Sequence, residues 1–214
     1  KNILIDAATD LRAQALRENI SHIDAVLFTH THADHIHGID DLRPFNISGG
    51  EPIPVFAGAE AVTNMKRNFA YIFGNGERAG YCPRLILEQI DGPFELFGLP
   101  IVPIPLVHGG GTSIGFRCGP VAYLTDCSAI PESSAPLLED LELLILDALR
   151  FRPHVSHFNI AGAIEQAGKI GAARTLFTHL SHDVDHARHT TGLPDGIEFA
   201  YDGQKLNFSL DDEK

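Results

Sequence analysis

The sequence predicts a mixed α/β (α+β) fold, a four-layer αββα sandwich. Short apolar runs bounded by turn residues form two blocks of strands, and segments with helical periodicity lie outside them. Because each sheet must cover an apolar face, this pattern is typical of two sheets packed face to face and covered by helices. The chain has 214 residues, and we predict one domain over residues 1–214 with a substantial core.

The first part of the chain alternates predicted strands and helices. The predicted strands are Asn2–Asp6, Ala25–Thr29 and Pro54–Ala57. The predicted helices are Thr9–Ile20, a short segment from Ile36 that ends before Pro44, and Glu60–Phe73. Thr9 or Asp10 can cap the first helix, and proline is expected to end the second because it breaks a helix interior. We interpret residues 74–80 as a loop that forms a mobile rim of a site.

The second part is richer in strands. The predicted strands are Leu85–Leu87, Phe94–Phe97, Ile101–Val107, Ser113–Cys118, Val121–Thr125, Leu143–Asp147, Thr175–Thr178, Glu198–Tyr201 and Lys205–Leu210. The predicted helices are Ile130–Leu138, Ile160–Ile170 and Val184–His189. The turn residues Gly119 and Pro120 predict a hairpin between the two strands that flank them.

Composition disfavours several classes of protein. The formal net charge is −12 and the basic residues are scattered, so no basic patch is visible for the phosphates of a long nucleic acid. No apolar run approaches the roughly 18 residues that cross a bilayer, and no signal segment opens the chain. We therefore expect a cytoplasmic protein without a membrane partner. The three cysteines, Cys82, Cys118 and Cys127, are not a disulfide framework.

The stretch after the apolar run Ala25–Phe28 carries the strongest chemical signal. It begins THTHADHIHG, and its His-x-His-x-Asp-His pattern places four ligand-type side chains within six residues. Neutral imidazole and carboxylate are the ligands of zinc in open sites, and they also suit manganese or iron. His30 and His32 point the same way from an extended segment. Asp34 and His35 are adjacent and are placed for a second ion.

Three further ligand-type residues each follow directly on a predicted strand: His108, Asp126 and His179. Strand ends at one rim of a sheet are where converging side chains can meet. The alternatives are an exposed histidine, a turn or capping aspartate and, for the motif itself, a histidine-rich surface loop. Four imidazoles and a carboxylate at a strand end have no packing use, so the pattern as a whole favours a metal site.

The THTHADHIHG segment resembles the metallo-β-lactamase fold superfamily, whose hallmark is this motif at a strand end. The resemblance implies two divalent metal ions, zinc or manganese with iron as a further option, and seven ligands: His30, His32, Asp34, His35, His108, Asp126 and His179. One ion takes His30, His32 and His108. The other takes Asp34, His35 and His179. Asp126 bridges both ions.

The segment LRFRPHVSHF, together with THLSHD, resembles the phosphoribosyl cyclic phosphodiesterases, which are relatives of the tRNA 3′-processing endonucleases. The resemblance implies hydrolysis of a small cyclic phosphodiester, with His157, Asp34 and Asp126 as catalytic residues. A metal-bridged hydroxide attacks phosphorus, and His157 protonates the leaving oxygen. A capping or core role is the alternative for His157, and His154 is interpreted as structural or as a neighbour of the ligands.

Other functions remain open at this stage. A tRNA 3′-processing endonuclease shares the site, but no long basic insertion is visible. A hydrolase of acyl bonds, such as a lactonase, thioesterase or β-lactamase, has no evident need for an acid placed like His157. A metal-dependent binding protein on the same scaffold is the non-enzymatic alternative. We expect a small phosphodiester rather than a nucleic acid as partner, and a homodimer is left open.

Some residues are expected to support the ligands rather than bind metal. Metal-bound histidines usually donate their second N–H group to a carboxylate or carbonyl. The candidate carboxylates are Asp6, Asp40, Asp41 and Asp147. Members of the family begin earlier, with a hairpin and a glycine-rich turn, so we also expect a preceding segment to be absent from this chain.

Overall fold

The computed structural model describes residues 1–74 and 81–209. The chain forms two compact units, Lys1–Asp91 and Gly92–Lys214. Each unit holds one β-sheet, so the predicted mixed α/β class is confirmed. Among the described residues, no helix has both the length and the apolar character needed to cross a membrane. The single domain predicted over residues 1–214 stays a prediction.

The first unit is built on four parallel strands. In sheet order they are β1 (Ile3–Ile5), β2 (Ala25–Leu27), β3 (Ile53–Ala57) and β4 (Leu85–Gln89). Its helices are α1 (Leu11–Arg17), α2 (Ala33–Ile36), α3 (Arg43–Gly49), α4 (Ala59–Asn68) and α5 (Ala70–Phe73), with a 3₁₀ turn at Ile39–Leu42. Every residue of β2 is buried, which explains its unbroken apolar sequence.

Two helices of the first unit differ from the prediction. The helix expected to end before Pro44 is instead followed by α3, which contains this proline in its first turn. A proline is tolerated there because the first amide groups of a helix have no partner within the helix. The helix predicted over Glu60–Phe73 breaks at Phe69, whose φ of −116° and ψ of 44° are not helical. Of the loop predicted over residues 74–80, only Gly74 lies within the described residues.

The second unit is built on seven strands. In sheet order they are β11 (Ile197–Phe199), β10 (Arg174–Thr178), β9 (Leu143–Asp147), β8 (Val121–Leu124), β7 (Gly111–Cys118), β6 (Leu99–His108) and β5 (Phe94–Leu96). Strands β5 to β8 pair antiparallel, and β8 to β11 pair parallel. The helices are α6 (Ile160–Ile170) and α7 (His186–His189), with 3₁₀ turns at Glu132–Leu138 and Thr190–Gly192.

Two elements of the second unit also differ from the prediction. The helix expected over Ile130–Leu138 is a 3₁₀ turn that contains Pro136, which cannot donate the amide hydrogen bond of an α-helix interior. Residues 205–209 form no strand, so the predicted end strand Lys205–Leu210 is wrong over its described part. The helix α6 matches its predicted bounds, and Asn159 caps it by accepting a hydrogen bond from the Gly162 amide.

Strand direction places ligand-type residues at one edge of each sheet. In the first unit, Ile5 pairs with Leu27, so Asp6 and Thr29 follow neighbouring strand ends. In the second unit, β6, β8, β9 and β10 run in the same direction because β6 and β8 both pair antiparallel with β7. Their carboxyl ends lead into His108, Asp126, Asp147 and His179.

Candidate metal centre

The first unit presents its ligand-type residues on one short segment after β2. His30 and His35 are buried, whereas His32 and Asp34 are exposed. The ring centroid of His30 lies 4.5 Å from that of His32 and 4.3 Å from that of His35. Nε2 of His35 lies 3.5 Å from Oδ2 of Asp34. The motif therefore gathers three imidazoles and a carboxylate within one local cluster.

Asp6, at the end of β1, holds this cluster in place. Its carboxylate accepts hydrogen bonds from the Thr29 amide (2.8 Å) and hydroxyl (2.8 Å), and Nδ1 of His35 lies 2.6 Å from it. Burial raises the pKa of Asp6, while the bonds to His35 and Thr29 act in the opposite direction. Its backbone φ of 61° is left-handed, a conformation in which aspartate is more common than most residues.

These hydrogen bonds determine which nitrogen of each imidazole can bind a metal. The single hydroxyl hydrogen of Thr29 goes to Asp6, so the hydroxyl oxygen accepts from Nδ1 of His30 at 3.0 Å. Nδ1 of His35 likewise donates to Asp6. In both neutral rings the lone pair therefore resides on Nε2, which is the ligand form of histidine.

The second unit gathers its residues around Asp126. This aspartate is buried, and three imidazole nitrogens surround its carboxylate: Nε2 of His179 at 3.3 Å, of His108 at 3.7 Å and of His157 at 3.8 Å. The rings of His157 and His179 are stacked, with centroids 4.9 Å apart and planes 18° apart. Ligand atoms of Asp126, His157 and His179 all lie within 4.8 Å of one another.

Two residues of this cluster have left-handed backbones. Asp126 has φ 51° and His179 has φ 58°. This conformation is uncommon for non-glycine residues and is often found at functional sites. The Thr125 hydroxyl donates to Oδ1 of Asp126 at 2.7 Å, and the Ser113 hydroxyl donates to its backbone carbonyl at 2.7 Å. The turn after β8 is thereby fixed together with the carboxylate that it carries.

His108 is oriented by a backbone carbonyl. Its Nδ1 lies 2.7 Å from the Ser156 oxygen, to which it donates, so the lone pair of the neutral ring is on Nε2. The next residue, Gly109, has φ 58°, and a Cβ placed there would lie 2.9 Å from Cβ of Ser156. The absence of a side chain at Gly109 therefore allows the close approach that holds His108.

His157 is oriented by Asp147, the last residue of β9. Its Nδ1 lies 3.0 Å from Oδ2 of Asp147, which also accepts from the Cys127 amide at 3.0 Å. Asp147 is fully buried, and Oδ1 has no hydrogen-bond partner among the residues that the structure describes. Burial raises the pKa of Asp147, and the hydrogen bond from His157 opposes this effect. His157 therefore presents Nε2 toward Asp126.

The donor sets of both clusters fit a divalent metal ion. In the first unit, oxygen partners hold Nδ1 of His30 and His35. In the second unit, they hold Nδ1 of His108 and His157. Nitrogen and carboxylate donors arranged in this way are typical of metal sites whose ligands are supported by a second layer of hydrogen bonds. The chain thus has His/Asp metal-binding clusters, and the assignment of seven particular ligands stays a prediction.

Sequence reasoning identified some supporting residues and missed others. Asp6 and Asp147 were among the candidate carboxylates, but Asp40 accepts a hydrogen bond from Tyr71. A threonine precedes four of the ligand-type residues, at positions 29, 31, 125 and 178, and the hydroxyls of Thr29 and Thr125 contact the clusters. This repeated pattern could have identified Thr29 and Thr125. The contact between His108 and the Ser156 carbonyl could not have been found in this way, because a backbone carbonyl is present at every residue.

Comparisons with known proteins agree with the geometry. The profile of the beta-lactamase superfamily domain matches residues 1–180. A crystal structure of a diphosphatase from the PhnP family is 42% identical, with a TM-score of 0.89, over 97% of this chain and 80% of that one. The short form of human tRNase Z is 20% identical with a TM-score of 0.69, over 94% of this chain and 86% of that one, and shows the fold alone.

Curated relatives are longer than this chain. An octanoyltransferase of Porphyromonas gingivalis is 36% identical over 207 residues, which are 95% of this chain and 42% of the relative. A metal-dependent hydrolase of Pyrococcus horikoshii is 26% identical over 148 residues, which are 67% of this chain and 58% of the relative. The chain therefore spans about half the length of these relatives. With the His/Asp clusters, the matches show that the chain belongs to the beta-lactamase superfamily.

Proposed function

We propose that the chain is a dinuclear metal-dependent phosphodiesterase that hydrolyses a small phosphodiester, such as a phosphoribosyl cyclic phosphate. The observation that carries this proposal is the pairing of His157 with the buried Asp147 at 3.0 Å, with Nε2 directed toward Asp126. An imidazole held in this way is suited to protonating a departing alkoxide. The 42% identity to a diphosphatase of the PhnP family supports a phosphoryl substrate.

The proposed centre holds two divalent ions, zinc or manganese with iron as a further option. The proposed ligands are those implied by the family resemblance: His30, His32, Asp34, His35, His108, Asp126 and His179. When bound, such ions stabilise negative charge on the phosphoryl oxygens and make a water molecule more acidic. Two divalent cations with Asp34 and Asp126 leave a net charge of about +2, which suits an anionic substrate.

The chain's own residues then have separable tasks. Asp147 holds Nδ1–H of His157, so a second proton on Nε2 gives an imidazolium that the buried carboxylate stabilises. Imidazole titrates near neutrality, and His157 can give this proton to the leaving oxygen. Thr125 fixes the rotation of the Asp126 carboxylate. Because His157 is only 10% exposed, bulk water competes little for its proton.

A second candidate is hydrolysis of a diphosphate. The PhnP-family relative is described as a diphosphatase, and the P–O–P bond leaves a phosphate rather than an alkoxide. A phosphate leaving group is more acidic and depends less on a general acid. The two candidates therefore differ in how strongly turnover depends on His157.

Acyl transfer is disfavoured by the state of the thiols. The octanoyltransferase relative is 36% identical, but the match covers 42% of it. A reactive thiolate needs a lowered pKa and access to substrate. Burial instead raises the pKa of Cys118 to about 11 and raises that of Cys127 well above its ordinary value. Cys82 is buried. Octanoyl thioester turnover is the direct check of this alternative.

The experiment that tests the proposal combines metal analysis with turnover. Protein purified without chelator is expected to contain about two divalent ions per chain and to hydrolyse bis(p-nitrophenyl) phosphate faster than a lactone or nitrocefin. Turnover of the acyl substrates alone would reject the proposal. Salt-dependent tRNA binding would favour the endonuclease alternative. The small-molecule partner and the cytoplasmic location stay predictions.

A further inference from the structure

A pocket on the first unit is bordered by α1, the residues after it, the 3₁₀ turn Ile39–Leu42 and the start of α3. Its volume is about 370 Å³, which is within the range of small-molecule sites. We call it the α1 pocket. Its lining combines an apolar and a polar set: Ala15, Leu16, Ile20, Pro44 and Phe45, and Arg12, Ser21 and Asp41. These residues belong to neither metal-binding cluster, so the pocket is separate from the site described above.

Part of the apolar lining of the α1 pocket is exposed to water. Leu11 and Ala15 of α1 are buried in the core, but Leu16 is 69% exposed and Ile20, beyond the end of the helix, is 38% exposed. Single exposed apolar side chains are common on proteins. Here, however, the two side chains border one concave space together with the buried Phe45. Covering them would remove apolar surface from water, so the pocket favours a ligand with an apolar part.

Two opposite charges border the α1 pocket without neutralising each other. Arg12 lies on α1, and Asp41 lies in the 3₁₀ turn. Within residues 1–74 and 81–209, neither side chain forms a hydrogen bond or an ion pair. Arg17 on the same helix, by contrast, pairs with Glu18 at 3.0 Å. The pocket therefore offers one guanidinium and one carboxylate to a ligand, with room between them for groups of the opposite charges.

Backbone contacts hold the two charged sides of the pocket in one arrangement. The Ala7 amide donates to the His35 carbonyl at 2.7 Å, and the Gly38 amide donates to the Ala7 carbonyl at 2.9 Å. Gly38 packs so closely that a Cβ there would lie 1.9 Å from the oxygen of Ala8. The helix α1 begins three residues after Ala8, and the 3₁₀ turn directly follows Gly38. The two sides are therefore joined before a ligand binds, which lowers the entropy lost on binding.

We propose that the α1 pocket binds a free apolar α-amino acid such as leucine. Near neutral pH this ligand carries a carboxylate for Arg12, an ammonium group for Asp41 and an apolar side chain for the exposed apolar lining. A guanidinium binds a carboxylate through paired N–H donors. A fatty acid would leave the Asp41 carboxylate against an apolar chain, and an alkylamine would do the same to Arg12, at a cost in desolvation. A residue at a peptide terminus carries only one of the two charges. This inference does not depend on the proposed function.

Matched ligands test the charge complementarity. Calorimetric titration of the chain with L-leucine is expected to show saturable binding. 4-Methylpentanoate lacks only the ammonium group of leucine, and 3-methylbutylamine lacks only its carboxylate. Each is expected to bind at least about tenfold more weakly, because one charged side chain of the pocket then has no partner. L-Alanine keeps both charges and should also bind about tenfold more weakly, because it buries less apolar surface.

Variants of the two charged residues locate the binding site. R12Q should lose the preference for leucine over 3-methylbutylamine, and D41N should lose the preference for leucine over 4-methylpentanoate. The matched controls are R17Q and D40N, which change charges on the same two elements. Both of these side chains have partners outside the pocket and do not line it. The controls should therefore bind leucine with the affinity of the wild-type chain.

Four results would overturn the proposal. One is the lack of saturable leucine binding at millimolar concentrations. Another is equal affinity for leucine and either singly charged analogue, which would indicate a site for an apolar ion of one charge. The third is unchanged leucine affinity in R12Q and D41N. The last is self-association of the chain that leucine inhibits, which would assign this face to a second copy. Turnover of bis(p-nitrophenyl) phosphate is measured separately, so the proposed function is tested independently.

Discussion

The two units assemble ligand-type residues in opposite ways. In the first unit they come from six consecutive residues, His30 to His35, and their spacing alone brings them together. In the second unit they come from positions spread from His108 to His179, and only the parallel direction of four strand ends gathers them. The first cluster is encoded locally, whereas the second depends on the topology of a whole sheet.

The units nevertheless share one device. In each unit, a buried carboxylate accepts one hydrogen bond from Nδ1 of a histidine and another from a backbone amide. Asp6 binds His35 and the Thr29 amide. Asp147 binds His157 and the Cys127 amide. Asp6 also accepts the Thr29 hydroxyl, whereas Oδ1 of Asp147 has no hydrogen-bond partner among the described residues. The first pair is therefore the more completely bonded, as expected for a ligand that must not move.

The largest expected effect comes from Asp126, where three imidazole nitrogens of the second unit converge. D126N keeps the size of the side chain and tolerates the left-handed backbone, but removes the charge. We expect activity to fall by more than about a hundredfold and metal content to fall with it. D140N is the control, since Asp140 is also left-handed but exposed. Unchanged metal content in D126N would mean that the ligands of the first unit retain the metal without the Asp126 carboxylate.

The next effect is that of His157, and it separates a proton donor from a metal ligand. H157A should lower turnover of a substrate with an alkoxide leaving group by about 10²–10⁴-fold, with metal content unchanged. A smaller loss on a diphosphate would favour the second candidate function. Lost metal would instead assign His157 to the ligand group that it forms with Asp126 and His179. H182A is the control, because the His182 side chain is 95% exposed.

The two supporting carboxylates give a direct comparison of the units. D6N weakens the partner of His35 and should lower metal affinity by about 10–100-fold. D147N weakens the partner of His157 and should lower turnover while metal affinity stays within about threefold, because His157 is proposed to act as an acid. Metal titration beside turnover distinguishes them. Equal loss of metal in both variants would show that the two pairs have the same role.

These comparisons explain why the sequence predicts one cluster better than the other. The motif predicts its own geometry, because strand periodicity and adjacency act over a few residues. The rest of the sequence predicts that His108, Asp126 and His179 follow strands. It does not predict that Asp126 has a left-handed backbone, which changes the direction of its side chain. The Ser156 carbonyl that orients His108 leaves no trace in the sequence, since every residue has a carbonyl. Backbone contacts of this kind depend on the fold.

The prediction for Pro44 was wrong for a similar reason. A proline breaks a helix interior but suits a first turn, and the sequence alone does not say where a helix begins. The strand expected at Lys205–Leu210 had the alternating apolar pattern of a strand, yet its described residues pair with no strand of the second sheet, whose edge strands are β11 and β5. Local pattern therefore predicted most elements, and position in the whole sheet decided the exceptions.

The smallest expected effect concerns two neighbouring glycines, Gly109 and Gly110. Gly109 has φ 58°, and its missing side chain faces Ser156, whereas a Cβ at Gly110 would have no heavy atom within 4 Å. G109A should lower the free energy of unfolding by about 1–3 kcal/mol, because alanine is strained in a left-handed backbone. The added Cβ should also displace Ser156 from His108 and so lower turnover by about tenfold. G110A should change neither quantity. Thermal unfolding and kcat measured on both variants test this. Gly109 differs from Gly110 in its left-handed backbone and in the loop that packs against it. Equal behaviour of the two variants would therefore show that the contact with Ser156 does not position His108.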